Sequence, residues 1–327
     1  MGTDQVPILI EETASTACTP CLAMPVRHRL NRAAVVFSFL SIYLIWGSTY
    51  LAIRYAVETI PPLYTAGIRH FVAGTILLCW CLAKRLRPTW QQIRASVIIG
   101  AFFFLLGHGS LHWAEQRVPS GLASLLIASE PIWVFLLSAL AAKQLHWNGT
   151  LLTGILLGVG GVGLLMGRSA LSSGPGMFLG SLAVVGGALA WSVGIVYSRR
   201  SHLSGHPLLL SALSLLAGSL QLLLVGTIAG EYRGFTLANV PARSWLALGY
   251  LILFGSVIAF TAYNWLLEHY SPTLVATHTY INPIVAVLLG WLIAGEAVTL
   301  NVVLSAAMVV SAVMLVDRGM ARLPQRL

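Results

Sequence analysis

The sequence predicts an all-α integral membrane protein of ten transmembrane helices, built as two inverted five-helix repeats. Composition, ten long apolar runs and an internal self-match carry that expectation. Of 327 residues, 57% are apolar and only 9% charged, against about 45–50% and about 25% in soluble domains. Mean hydropathy is +0.83. A soluble enzyme, a disordered chain and a disulfide-stapled secreted scaffold are all excluded. The four cysteines divide between an apolar run (Cys79, Cys81) and a polar leader (Cys18, Cys21).

A helix needs about 20 mostly apolar residues to cross a bilayer. Such runs fall near 34–56, 63–83, 94–114, 119–141, 149–167, 177–198, 207–229, 244–267, 272–294 and 299–317. Pro61-Pro62, Pro119, Pro207 and Pro272 stand at helix starts, where a missing N–H costs nothing. The runs are continuous and rich in Leu, Ala and Gly, unlike the alternating strands of a barrel. The connecting loops are too small for a folded domain, the longest running from Glu231 to Arg243. A phosphate-binding G-x-x-x-x-G-K-[ST] loop, a His-Glu-x-x-His pair and a G-x-S-x-G elbow are all missing. The chain is therefore not read as an enzyme, and any work it does draws on a gradient or a separate subunit.

With the N-terminus inside, thirteen Lys and Arg between Arg27 and Arg326 fall on the cytoplasmic side. Only Arg117, Arg168, Arg233 and Arg243 fall on the other. Arg54 closes the first span and Arg69 lies inside the second. Cytoplasmic excess of cations is the usual mark of topology. It places both termini in the cytoplasm and accounts for the formal charge of +9 without a nucleic-acid partner.

Residues 1–33 read as a polar cytoplasmic tail and 318–327 as a second. The long first span lacks the small-residue cleavage site of a signal peptide, and Val6 stands where myristoylation needs Ser or Thr. Cys18-x-x-Cys21 has no second cysteine pair nearby, so no metal is expected there. Met24-Pro-Val-Arg-His-Arg reads as a short basic leader, making Met24 an alternative start. N-terminal sequencing of natively expressed protein decides between Met1 and Met24.

A shift of 152 places Trp113 on Trp265, Leu122 on Leu274, Pro131-Ile132 on Pro283-Ile284 and Leu136-Leu137 on Leu288-Leu289. A shift of 145 places Trp46 on Trp191, Arg54 on Arg199 and Pro62 on Pro207. Residues 34–168 and 177–317 thus read as two copies of one unit. Five spans per copy insert the second upside down, as in secondary transporters with a site at the repeat interface.

Several motifs occur in a specific order. They are Trp46-Gly-Ser-Thr-Tyr-Leu, Pro61-Pro-Leu with Ala66-Gly-Ile-Arg69, Ala114-Glu-Gln with Pro119-Ser-Gly, and the Pro131 and Pro283 segments. Gly249-Tyr-Leu-Ile-Leu-Phe-Gly-Ser, Tyr280-Ile-Asn-Pro-Ile-Val-Ala-Val-Leu-Leu-Gly and Gly295-Glu follow. Over about 34–317 the chain resembles the EamA-type, ten-helix branch of the drug/metabolite transporter superfamily, in its YedA-like group. The resemblance implies a multi-pass inner (plasma) membrane exporter or facilitator of small metabolites, often amino acids. One departure is that Gly295-Glu296 survives while its counterpart in the first half is Lys143-Gln144.

Glu130 lies eleven residues into the fourth span, about 16 Å deep, where a carboxylate is costly and usually functional. Pro131 follows and cannot bond the carbonyl of Ile127. Asn282-Pro283 is the matched site, expected to free the carbonyl of Thr279. Pro131 and Pro283 are thus candidate hinges, since paired interruptions in the two halves point to a transport site. Glu130 is also a candidate proton carrier, and protons a candidate coupling ion; the plainer alternative is a satisfied packing residue. Arg69 reads either as a clamp for a substrate carboxylate or as a structural ion pair with Glu115 or Glu130. His108, His112 and Glu115 share a face of the third span and are expected to line the cavity, with His70 or His278 nearby. No metal is expected, because Glu115 stands about 10 Å from His108 along the axis.

Asn264 and Phe260 match His112 and His108. Trp46 and Trp191, central in their spans, read as a stacking wall or as ordinary packing. Gly47 and Ser48 allow close approach or a bend. Tyr280 completes the cavity set. Gly154, Gly158, Gly163 and Gly167, with Ala306, Ser311 and Ala312, form small-residue faces for scaffold packing. By the resemblance, spans 1, 3, 4, 6, 8 and 9 line the cavity. The expectation is a secondary transporter of small metabolites, such as amino acids or related amphipathic compounds, working by alternating access. It sits in the lipid bilayer without a cofactor, and a homodimer is a candidate assembly. The alternatives are an uncoupled facilitator, a membrane scaffold, or an intramembrane enzyme on His108, His112 and Glu130, which lacks a nucleophile motif.

Overall fold

The computed structural model describes residues 32–142, 148–172, 175–201, 205–270 and 272–321. The leader cysteines, Met24 and Lys143-Gln144 lie outside them. The first half comprises α1 (Arg32–Val57), α2 (Pro62–Ala83), α3 (Trp90–Ala114), α4 (Ser120–Ile127), α5 (Glu130–Ala142) and α6 (Gly149–Ser172). The second comprises α7 (Pro175–Arg200), α8 (Pro207–Ile228), α9 (Ala242–His269), α10 (Pro272–Val275), α11 (His278–Ala294) and α12 (Leu300–Ala321). No strand occurs among the described residues.

Among those residues, nine helical segments are long and apolar enough to cross a membrane, α4 and α5 together making one. The tenth expected span is divided. Its α11 part has 17 residues, short of a crossing, and reaches the needed length only with α10.

The two halves repeat in their lengths. α1 and α7 have 26 residues each, and α2 and α8 have 22 each. α3 and α9 each contain an eight-residue π-helical segment, Ala101–His108 and Leu251–Ile258. Wider π turns are rare and recur at functional sites, so their reappearance at matching places is a structural signature of the repeat.

The halves interlock, and the closest helix neighbours are mostly across them. α2 lies on α8, α6 on α12, α1 on α11 and α9, and α3 and α5 on α7. Lipid removes the hydrophobic drive between helices, so close packing of small residues holds such pairs. A Cβ on Gly154 would fall 2.9 Å from the Leu315 side chain, and Ala312 is fully buried. Gly163 and Ser311 do not join that interface: nothing lies within 4 Å of a Cβ at Gly163, and Ser311 is exposed. At Gly47 a Cβ would meet Val285 Cβ at 2.6 Å, so α1 reaches α11 only with glycine there. Large exposed side chains such as Leu156, Leu246 and Leu292 are apolar, as a lipid surround requires.

Candidate functional site

Both half-spans are broken, but for different local reasons. Before α5 the chain turns at Ala128-Ser129. Pro131 has no N–H for the helical ladder, and the Ser129 hydroxyl donates to the Leu126 carbonyl at 2.7 Å. Trp133 Nε1 donates to that hydroxyl at 3.2 Å. Glu130 becomes the first residue of α5, where a helix N-terminus favours negative charge. It keeps part of its surface accessible, and its carboxylate accepts no hydrogen bond among the described residues. Its backbone carbonyl accepts from Ser192 Oγ at 3.3 Å. Tyr50, Tyr263 and Arg199 are the polar groups within electrostatic reach.

In the second half Pro283 sits inside a continuous α11, and the interruption lies at Ala276-Thr277. It is not the Pro283 hinge expected from sequence. Three consecutive side chains take up freed carbonyls: Thr277 Oγ1 on Leu274 (2.6 Å), His278 Nδ1 on Val275 (3.0 Å) and Thr279 Oγ1 on Ala276 (2.8 Å). Such back-bonding competes with the helical ladder and satisfies the backbone without water. Tyr43 on α1 hydrogen-bonds Thr277 at 2.7 Å. Glu130 and His278 are each the first residue after a break, although the repeat register sets Asn282, four positions further on, against Glu130.

Two aromatic groups lie around these breaks. Trp46 meets Phe260 (5.7 Å), Tyr263 (5.2 Å) and His278 (5.0 Å), and its Nε1 donates to the Gly255 carbonyl at 3.0 Å. Trp191 stacks on Phe103 (4.3 Å) and His108 (5.0 Å). The two indoles share no ring contact among the described residues, so they do not form one wall. Tyr263 connects the breaks, with its ring 5.9 Å from His278 and its hydroxyl within reach of the Glu130 charge.

The remaining predicted residues are placed as follows. His70 and His108 are bonded, Nε2 to Nδ1, at 2.8 Å, and His112 Nδ1 donates to the His108 carbonyl at 2.7 Å. His278 belongs to the Trp46 group instead. Arg69 is buried and donates from Nε to Ser256 Oγ at 2.8 Å; among the described residues it forms no ion pair with Glu115 or Glu130. Ser48 bonds the Ile45 carbonyl (2.7 Å) and the Tyr250 hydroxyl (2.6 Å). Asn264 Nδ2 donates to the Phe260 carbonyl at 2.8 Å on its own helix. Tyr280, expected in the cavity, donates its hydroxyl to Asp317 on α12. Asn282 is buried, against the Gly47 approach.

Where α1 ends and α4 begins, the sequence reading missed a latch. Glu296 lies next to Gly295, whose φ of +64° is a left-handed turn that glycine adopts freely. Its carboxylate pairs with Arg54 at 2.5 Å and accepts from Ser120 N and Oγ at 2.8 Å and from Gly121 N at 3.0 Å. One side chain therefore caps α4 and ties it to α1. The only sequence signal was Arg54 and Gly295-Glu296, 242 positions apart. At the same end Arg243 pairs with Glu58, and Thr59 Oγ1 donates to Ser244 Oγ at 3.0 Å. Glu231 accepts from the backbone N–H of Leu63 at 3.0 Å; burial pushes its carboxyl up, against the pull of those N–H groups.

A pocket of about 500 Å³ opens at this end, lined by Arg54, Val57, Glu58, Glu115–Pro119 and Met177. A second space of about 420 Å³ lies between α5 and α7, lined by Leu137, Leu140, Ala141, Val193, Val196 and Tyr197. Neither is lined by Glu130.

The model of the EamA-like transporter family matches residues 33–167 and again 178–317. The inner membrane transporter YedA of Escherichia coli K12 is 36% identical over 292 residues, covering 88% of this chain and 91% of its own. The transporter YoaV of Bacillus subtilis is 25% identical over 84% of this chain and 94% of its own. One solved structure, 21% identical, superposes with a TM-score of 0.60 over 87% of this chain and 97% of its own; that likeness concerns the fold.

Proposed function

The chain belongs to the EamA-like transporter family and is a membrane transporter, and we propose that it carries small amphipathic metabolites, amino acids among them, across the inner membrane by alternating access. The observation that supports this reading is that corresponding spans of the two halves are both broken. Half-helix termini at a repeat interface hold substrate in carriers of this architecture. Glu130 presents a carboxylate to an ammonium group. The N-terminal end of α11, at His278, offers a partial positive charge to a carboxylate. Tyr263, Trp46 and Trp191 supply the aromatic surroundings. The Glu296 end faces outward in this reading, and Glu296 ties α4 to α1 beside its pocket.

Uptake of labelled amino acids into proteoliposomes, with and without a pH gradient, tests it. Gradient-driven uptake by the wild type, lost in Glu130→Gln, is expected. Uptake indifferent to gradient and substitution would leave an uncoupled facilitator, and no uptake or counterflow of any amino acid would sink the substrate class.

A further inference from the structure

Polar atoms left without partners concentrate on one patch of α2 and α3. Among the described residues, both carboxylate oxygens of Glu115, Nε2 of His112 and Nδ1 of His70 are buried and accept or donate no hydrogen bond. Glu115 is 3% exposed, and the two histidines are fully buried. Buried polar groups are otherwise almost always paired, and an unpaired carboxylate is the costlier kind. The fold keeps this one at the wall of the Glu296-end pocket.

The groups around Glu115 are set by several elements. α1 brings Tyr50 and Arg54, with Glu58 beyond it; α2 brings Arg69; the turn after α11 brings Glu296; α3 and its extension bring His112 and Arg117. Arg54 is held by Glu296, Arg69 donates to Ser256, and Glu58 is paired with Arg243. No cation is closed onto Glu115. The backbone of Arg54 is near it but outside hydrogen-bonding geometry. His112 stands one turn away on the same helix, about 5–6 Å between Cβ atoms. Its Nδ1 proton is committed to the His108 carbonyl, so Nε2 is a free lone pair. His108 in turn is bonded to His70.

We propose that Glu115 is the proton-binding group of the carrier, loaded from the Glu296-end pocket, with His112 Nε2 as its neighbour. The carboxylic acid releases its proton to pocket water and is left as a carboxylate; no other bond changes. Once ionised, Glu115 competes with Glu296 for Arg54, which loosens the cap on α4. The use of this proton in transport rests on the proposed carrier function, whereas the proton site itself does not.

Infrared spectra of the full chain in nanodiscs, stepped in pH, read the carbonyl stretch of protonated carboxyl groups. A band is expected to titrate well above the ordinary glutamate value of about 4.3. The component lost in Glu115→Gln should persist in Glu130→Gln and Glu296→Gln, return in Glu115→Asp, and shift its midpoint in His112→Gln. A spectrum that Glu115→Gln leaves unchanged, or a Glu115 component that titrates at the ordinary value, would overturn the proposal. Amino-acid uptake that persists beside a negative spectrum removes only the proton site. A positive spectrum beside absent uptake removes only the substrate reading.

Discussion

The indole of Trp191 lies nearly parallel to the imidazole of His108, with 5.0 Å between centroids and 20° between planes. At the equivalent contact between the halves Trp46 meets Phe260 at 5.7 Å and 73°. His108 and Phe260 are equivalent positions, as are Trp46 and Trp191, so the repeat preserves the contact and changes its chemistry. One side offers a polar, hydrogen-bonded ring and the other an apolar edge. That asymmetry breaks the two-fold likeness of the halves at this contact.

Replacing Trp191 by Ala removes stacking with both Phe103 and His108. Stacked pairs contribute about 0.5–1.5 kcal/mol beyond area burial. Together with the lost indole volume, the expected destabilisation is about 3–5 kcal/mol. Trp191→Phe should retain most of the stability. Thermal unfolding in detergent measures both, and equal losses in the two variants would mean the stack contributes nothing.

Glu296→Gln turns charge-assisted bonds to Arg54, Ser120 and Gly121 into neutral ones. The expected cost is about 2–3 kcal/mol. The α4 terminus should also become more accessible, read as faster alkylation of a cysteine at Val118 in a background lacking native cysteines. Unchanged alkylation would show that Glu296 does not hold that end closed.

Gly47→Ala puts a Cβ 2.6 Å from Val285 Cβ and 3.2 Å from the Asn282 carbonyl. Overpacking of this kind costs about 1–3 kcal/mol. Gly249→Ala, with open space around its Cβ, is the neutral control. The two midpoints of thermal unfolding should separate by several degrees; coincidence would mean α1 and α11 yield easily.

Glu115 lies just past the end of α3, and burial followed by repulsion from Glu296 holds its carboxyl well above the usual carboxylate range. A proton bound more tightly folded than unfolded stabilises fully below the unfolded value and loses that effect as pH rises through the folded one. Wild-type unfolding temperature should therefore fall more with rising pH than that of Glu115→Gln. Parallel curves would show that Glu115 does not contribute.

Hydropathy alone was enough to mark the spans, because lipid demands apolar side chains and closed backbone bonding over a set length. Shifts of 145 and 152 exposed the repeat, since equivalent helices keep equivalent lengths. Glu130 was also visible as an isolated charge in an apolar run. Tertiary structure decided where the second span breaks: at Ala276-Thr277, where Thr277, His278 and Thr279 bond back to earlier carbonyls, and not at Pro283. It also decided that Arg54 meets Glu296, that Arg69 meets Ser256, and that Glu115 has no hydrogen-bond partner among the described residues. Pairing of charges depends on which helices interlock across the two halves. A sequence lists which groups must find partners, and packing determines which of them do.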